Sequence, residues 1–173
     1  DVVYLLGADE VDVNGFGNAF VVYQGHHGDA GASVADVILP GSAYTEKNGL
    51  FVNTEGRVQA SRLATFAPGD AREDWTILRA LSGALGKPLP FDDLGALRQA
   101  MVAAVPHMGG VDQIEAAEWA LPGVAGDMQD AAFEPIINNY YMTCPISRTS
   151  KTMAECTEVY MAGSLDQARE AAE

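Results

Sequence analysis

Three short apolar runs open the chain: "VVYLL" (Val2 to Leu6), "FVVYQ" (Phe20 to Gln24) and "ADVILPG", which is stopped by Pro40. Each is rich in β-branched and aromatic residues and runs out into Gly, Asp or Pro. Continuous rather than alternating hydrophobicity marks strands covered on both faces, so the runs predict parallel strands of an α/β sheet. Between them, "GADEVDVNGFGN" is too Gly-rich for a long helix, and "GHHGDAGASVA" leaves room for one helical turn. Beyond Pro40, "NGLFVNTEGRVQA" predicts a small hairpin, with Leu50 to Asn53 pairing with Arg57 to Ala60 across "TEG". Gly56 supplies the positive φ that a Cβ resists, and Asn48-Gly49 supplies a turn before the hairpin.

The period then changes to that of helices. In "PGDAREDWTILRALSGALGKP", Asp70 is placed to cap, Glu73 sits at the capping-box position, and Gly86 with Pro88 ends the element. Trp75, Leu78, Leu81 and Leu85 fall on one face. A second helix, Asp93 to Val105, aligns Leu94, Leu97, Met101 and Val105. Both stripes predict core, where each apolar side chain contributes roughly 1.5–3 kcal/mol on full burial. A third, weaker helix is expected over Gln113 to Leu121. From Pro122 onward Gly, Pro and Asn interrupt the pattern, and "IINNYYMTCPIS" has neither a period of two nor of 3.6, so it predicts an extended arm. A short helix from about Thr149 to Tyr160 and a charged one from Ser164 follow. The organisation expected is an α/β domain over residues 1–121 and an arm with short terminal helices over 122–173.

Composition narrows the function classes. The chain has 173 residues and 18.3 kDa, enough for one domain, and no apolar run approaches the roughly 18 to 20 residues of a membrane-spanning helix. It begins without an initiator Met, a basic leader or a cleavage site and enters a strand at once, so further chain is expected upstream. With 24 acidic against 10 basic residues the formal net charge is -14, which repels phosphate backbones and excludes direct nucleic-acid binding. The same charge solvates a surface or docks an acidic face on a basic partner. Two cysteines, Cys144 and Cys156, are too few for an iron-sulfur or zinc module, imply no disulfide framework and fit a reducing compartment.

Several residues invite chemistry. His26 and His27 stand at a strand's C-terminal end beside Asp29, but adjacent side chains in an extended segment point opposite ways and cannot clamp one metal together. Structuring the loop, or contact with a partner, is the expected role. His107 is isolated. Glu46 and Glu55 have the residue types for acid and base work, but no nucleophile or metal motif stands near them in sequence, and carboxylates beside turns commonly accept backbone N–H groups. The glycines of "GHHGDAG" do not have dinucleotide-fingerprint spacing, and no P-loop lysine is present. No residue is assigned to catalysis, cofactor binding or metal ligation.

In "ADVILPGSAYTEKNGLFVNTEGRVQ", Glu46, Gly49, Asn53, Glu55, Gly56, Arg57 and Gln59 hold fixed offsets after a strand ending in Leu-Pro. This pattern resembles the molybdopterin oxidoreductase superfamily. Together with "FVVYQGHHGDAG", "PGDAREDWTILRALS" and "YYMTCPISRTSKTMAEC", the chain is similar to the large iron-sulfur subunits of respiratory complex I, the NADH:quinone oxidoreductase, most thinly between Gly109 and Pro135 and after Tyr160. The resemblance implies the C-terminal part of a molybdopterin oxidoreductase-like domain that keeps the scaffold without the molybdenum cofactor. It implies 4Fe-4S and 2Fe-2S clusters in upstream modules, other peripheral-arm subunits as partners, and a place on the cytoplasmic face of a bacterial inner membrane or the matrix side of the mitochondrial one. Cys144 stands where such relatives carry an acidic or polar residue, which speaks against a ligand role. Two other readings stay open. One is a catalytic molybdopterin enzyme of formate dehydrogenase type, with Glu46, Asn53 and Glu55 near the pterin; the other is a free-standing acidic binding domain.

Overall fold

A computed structural model describes residues 1–114, 116, 120, 123–128, 130–132 and 136–170, with side chains omitted for 162–170. The chain divides into two units, one made of Asp1–His26 and Ala30–Glu118, the other of His27–Asp29 and Trp119–Glu173.

In the first unit, β1 (Val2–Leu6), β2 (Phe20–Gly25) and β3 (Val37–Pro40) form a parallel sheet in that order, with Leu5 opposite Tyr23 and Tyr23 opposite Ile38. The three apolar runs are therefore the three strands. A 3-10 turn, Val13–Phe16, follows β1, and a single helical turn, α1 (Ala30–Ser33), follows β2. Gly7 and Gly28 take positive φ at the strand exits, where an L side chain would be strained. One face of the sheet carries the core, Leu5, Val21 and Tyr23, with Val3, Ala8, Phe16, Ala32 and Ala35 packed on it. Two carboxylates lock the loops to this layer. Asp9 accepts from the buried Tyr23 hydroxyl at 2.8 Å and from the Gly31 N–H at 3.2 Å, while Asp36 accepts from the Val21 N–H at 2.7 Å. Tyr23 reaches Asp9 past Gly25: a Cβ there would lie 2.6 Å from Tyr23 Cζ and 2.9 Å from Cε1.

The hairpin pairs β4 (Gly49–Val52) with β5 (Val58–Ser61), with Leu50 opposite Ala60, as the sequence predicts. Gly49 opens the strand rather than the preceding turn. Val58, fully buried, also bridges to Val111.

Helix α2 (Asp74–Ala84) starts later than expected, and Asp70 does not cap it. Arg72 is held extended instead: its N–H donates to Pro40 O at 3.1 Å and its carbonyl accepts from Ser42 N–H at 2.9 Å, continuing the strand pairing at Gly41. Helical φ/ψ cannot begin until that pairing ends, so Glu73 becomes the N-cap. The C-terminus follows the sequence, with Lys87 N–H on Ser82 O, Gly86 N–H on Gly83 O and φ 71° at Gly86, a Schellman arrangement. Helix α3 (Leu94–Ala104) has the expected N-cap, Asp93, whose carboxylate accepts from Ala96 N–H at 2.8 Å. The prediction that both stripes are core is not met. Neither helix has a buried residue, and Leu85 is 70% and Val105 49% exposed. Much of the helix expected over Gln113 to Leu121 lies outside the described residues; Gln113, Ile114, Ala116 and Ala120 are not helical.

In the second unit the segment expected to run extended contains a 3-10 turn, Tyr140–Met142, and α4 (Pro145–Arg148). Local caps explain this: Asn139 Oδ1 accepts from Tyr141 N–H at 3.0 Å, Ser147 Oγ accepts from Cys144 N–H at 3.0 Å, and Pro145 presets the first helical φ. The two terminal helices are one, α5 (Lys151–Glu170), which continues through Gly163 because a lone helical Gly costs only about 1 kcal/mol relative to Ala. Tyr141 lies against Tyr160, with ring centroids 6.2 Å apart.

Candidate functional site

The C-terminal ends of parallel strands are where open α/β sheets hold ligands. Here that region contains a chain of protein side chains. Tyr4 donates from its hydroxyl to Gln24 Oε1 at 2.5 Å, and Gln24 Nε2 donates to Asp74 Oδ1 at 3.0 Å and to the Asp74 carbonyl at 3.2 Å. The Asp74 carboxylate pairs with Lys47. Gln24 is wholly buried, and a buried amide must have partners, so this chain satisfies it while fixing the first turn of α2 to the sheet. Burial, and next the negative charge of Asp74, raise the pKa of Tyr4 above the ordinary phenol value, keeping it a donor. A Cβ on Gly41 would come within 2.8 Å of Asp74 Oδ1, so the close approach depends on that glycine.

The motif residues gather at the hairpin and bond to it. Asn53 Oδ1 accepts from the N–H groups of Glu55 (3.1 Å) and Arg57 (3.0 Å), and the Asn53 carbonyl accepts from Gly56 N–H at 2.9 Å, where φ is 81°. Glu55 lies 3.6 Å from the Arg57 guanidinium and 3.5 Å from Asn53 Nδ2. Glu46 folds back to accept from Ala43 N–H at 3.0 Å, within its own 3-10 turn Tyr44–Glu46. Gln59 is exposed in β5. His107, isolated in sequence, places a ring nitrogen 2.5 Å from the Gly56 carbonyl and closes the turn from α3's far end.

The remaining candidates fall in the second unit or at its boundary. Asp29 pairs with Arg148, whose Nη1 also donates to Met142 O at 3.2 Å. His26 and His27 both have interactions of their own. Cys144 is exposed and its pKa is lowered, first by the Ser147 hydroxyl 3.4 Å from Sγ, with a small contribution from Arg148; Cys156 is half-buried in α5. Among the described residues, no group of three or more His, Cys, Asp or Glu is arranged to hold a metal ion. Sequence reasoning missed Tyr4, Gln24, Asp74 and Lys47. The signal was present: a Gln inside an apolar strand has to be hydrogen-bonded.

Two family models match the chain. Residues 1–84 match the molybdopterin oxidoreductase model, covering the sheet, the hairpin and α2. Residues 111–156 match the C-terminal model of the G-type subunit of NADH-ubiquinone oxidoreductase, including the stretch where the sequence resemblance is thinnest. The chain belongs to this family of NADH-ubiquinone oxidoreductase subunits. Similar proteins agree with that membership. The NADH-ubiquinone oxidoreductase 75 kDa subunit of Reclinomonas americana is 49% identical over 162 residues, 91% of this chain and 23% of the relative. The 78 kDa mitochondrial subunit of Candida albicans is 51% identical over 169 residues, 91% of this chain and 24% of its own length. NADH dehydrogenase [ubiquinone] iron-sulfur protein 1 of Solanum tuberosum is 46% identical over 159 residues, 90% of this chain and 22% of its own length. The chain thus spans under a quarter of the length of these relatives.

Proposed function

We propose that this chain is a non-catalytic scaffold portion of the large iron-sulfur subunit of a proton-translocating NADH:quinone oxidoreductase, supporting electron transfer from NADH to quinone in the peripheral arm. The observation that carries this reading is the hairpin. In a chain whose relatives are named as NADH-ubiquinone oxidoreductase subunits, Glu46, Asn53, Glu55 and Arg57 find partners within their own turns. The side-chain oxygens of Glu46 and Asn53 are committed to backbone N–H groups of their own turns, which supports a self-supporting turn over a molybdopterin site. The inherited domain would therefore keep its shape and lack the pterin.

Iron-sulfur clusters, of the 4Fe-4S and 2Fe-2S kinds, belong to other parts of the subunit, since each needs about four protein ligands, usually thiolates, and this chain has two cysteines. Residues 1–121 act as the C-terminal part of the molybdopterin oxidoreductase-like domain and 122–173 as the arm, with other peripheral-arm subunits as partners. The subunit would be peripheral, on the matrix or cytoplasmic side; among the described residues no helix is long and apolar enough to cross a membrane. The formate dehydrogenase alternative is not favoured by relatives named as NADH-ubiquinone oxidoreductase subunits.

The test uses purified particles containing the whole subunit. Deleting residues 135–173 is expected to lower the yield of assembled particle several-fold while leaving the paramagnetic cluster spectra of correctly assembled particles unchanged. Stoichiometric molybdenum or tungsten by elemental analysis, or altered cluster signals in intact particles, would overturn the reading.

A further inference from the structure

We propose that the Asn14-Gly15 step, in the loop after β1, is a self-modification site at which Asn14 deamidates spontaneously through a cyclic imide, while the fold holds back the identical Asn48-Gly49 step. These are the two Asn-Gly steps of the sequence. In such a step the glycine's backbone nitrogen attacks the side-chain carbonyl carbon of the asparagine. A C–N bond forms, the side-chain amide group leaves with the displaced backbone proton as ammonia, and a five-membered succinimide remains. Water then opens the ring at either carbonyl, giving aspartate or isoaspartate, in which the backbone runs through the former side chain. The step needs water alone as co-reactant, and glycine is the favourable successor because no Cβ obstructs the approach.

The two steps differ in what must move for the ring to close. At Asn14 every restraint is local: its own N–H and its Nδ2 donate to Asp12 Oδ1 at 3.0 and 2.9 Å, and the Gly15 N–H donates to the Asp12 carbonyl at 3.2 Å. Asn14 and Gly15 are exposed in the 3-10 turn Val13–Phe16, so water replaces these bonds as the turn opens, at little cost. A Cβ on Gly15 would meet no atom within 4 Å, which leaves room for the ring. At Asn48 the restraints cross the chain. Asn48 Oδ1 accepts from Leu63 N–H and the Gly49 N–H donates to Ser61 Oγ, both at 3.2 Å. Gly49 is also paired opposite Ser61 in the hairpin, under a Phe51 ring so close that a Cβ there would come within 2.7 Å of it. Reaction at Asn48 therefore waits on opening of the β4–β5 end. At Asn14 the product puts a second carboxylate where an amide donor had faced Asp12, and isoaspartate adds a methylene to the backbone of the turn, so the loop is altered irreversibly.

This inference is independent of the proposed function. Purified particles containing the whole subunit are incubated in mildly alkaline heavy-oxygen water, then digested in acid in ordinary water, so that peptide mass spectrometry counts only the deamidation that occurred during incubation. Residue 14 is expected to take up label at least about tenfold faster than residue 48, with isoaspartate among its products. In urea, where both steps are freed from the fold, the two rates should come within about threefold of each other. Gly15→Ala, which the open space at that position accommodates, should slow residue 14 about tenfold and leave residue 48 unchanged. Equal rates in the native particle, faster reaction at residue 48, or a residue 14 that reacts only in urea would overturn the proposal. So would a preference for residue 14 that persists undiminished in urea, which assigns it to local sequence, or aspartate formed without isoaspartate, which rules out the cyclic imide.

Discussion

The parallel sheet and the pair α2–α3 both carry apolar patterns that predict core, yet Leu5, Val21 and Tyr23 are buried and no residue of either helix is. The sheet's core layer is closed by its own chain, through Asp9, Asp36 and the residues packed around them. The helices keep their periodicity and caps but have their apolar faces only half covered. An apolar stripe is thus a statement that a face will be covered; it does not name what covers it.

The largest effect should separate the two regions. Leu5→Ala removes a closed core side chain and is expected to cost about 2–5 kcal/mol. Leu97→Ala, on the open side of α3, should cost less than about 1 kcal/mol in the free chain. Urea denaturation of the purified chain, followed by circular dichroism, reads both, and equal losses would abolish the distinction. Next comes the junction of the regions. Gln24→Ala leaves the Tyr4 hydroxyl without its acceptor and Asp74 with Lys47 alone, and should cost about 1–3 kcal/mol, with the tyrosine pKa returning toward its ordinary value as burial is relieved. Within the hairpin, Gly56→Ala forces an L residue to φ 81° and should cost roughly 1–2 kcal/mol, with amide exchange accelerating at Val52 and Val58. The smallest effect concerns the arm. The lowered pKa of Cys144 means more thiolate at a given pH, so iodoacetamide should label it before Cys156, and Ser147→Ala should slow that labelling near neutral pH.

Much of the first unit was legible because its signals are local. Strand limits follow from β-branched runs, the hairpin register from the "TEG" turn, and the ends of α2 and α3 from Gly86 and Asp93. Part of what escaped required knowledge of a distant neighbour: Asp70 lost its capping role because Arg72 pairs beside Pro40. The arm's turns escaped for a different reason, since Asn139 and Ser147 cap residues two and three positions away without leaving any periodic pattern. The polar chain from Tyr4 to Lys47 joins four segments, and only the solitary glutamine in its strand hinted at it. For the candidate site, the motif residues could be located from spacing, but the direction in which their side chains bond could not. His107 reaches the hairpin across a fold no short motif encodes.

The crowding of Tyr23 under Gly25 ties two positions into a single evolutionary unit. So long as residue 23 is a tyrosine stretching toward Asp9, residue 25 has no room for even a methyl group. A lineage that trims the ring frees its neighbour to vary, and one that adds bulk at 25 must first give up the phenol. Bulk at residue 25 beside an unchanged Tyr23 should therefore be rare among viable descendants, whereas it is open to those that have exchanged both residues.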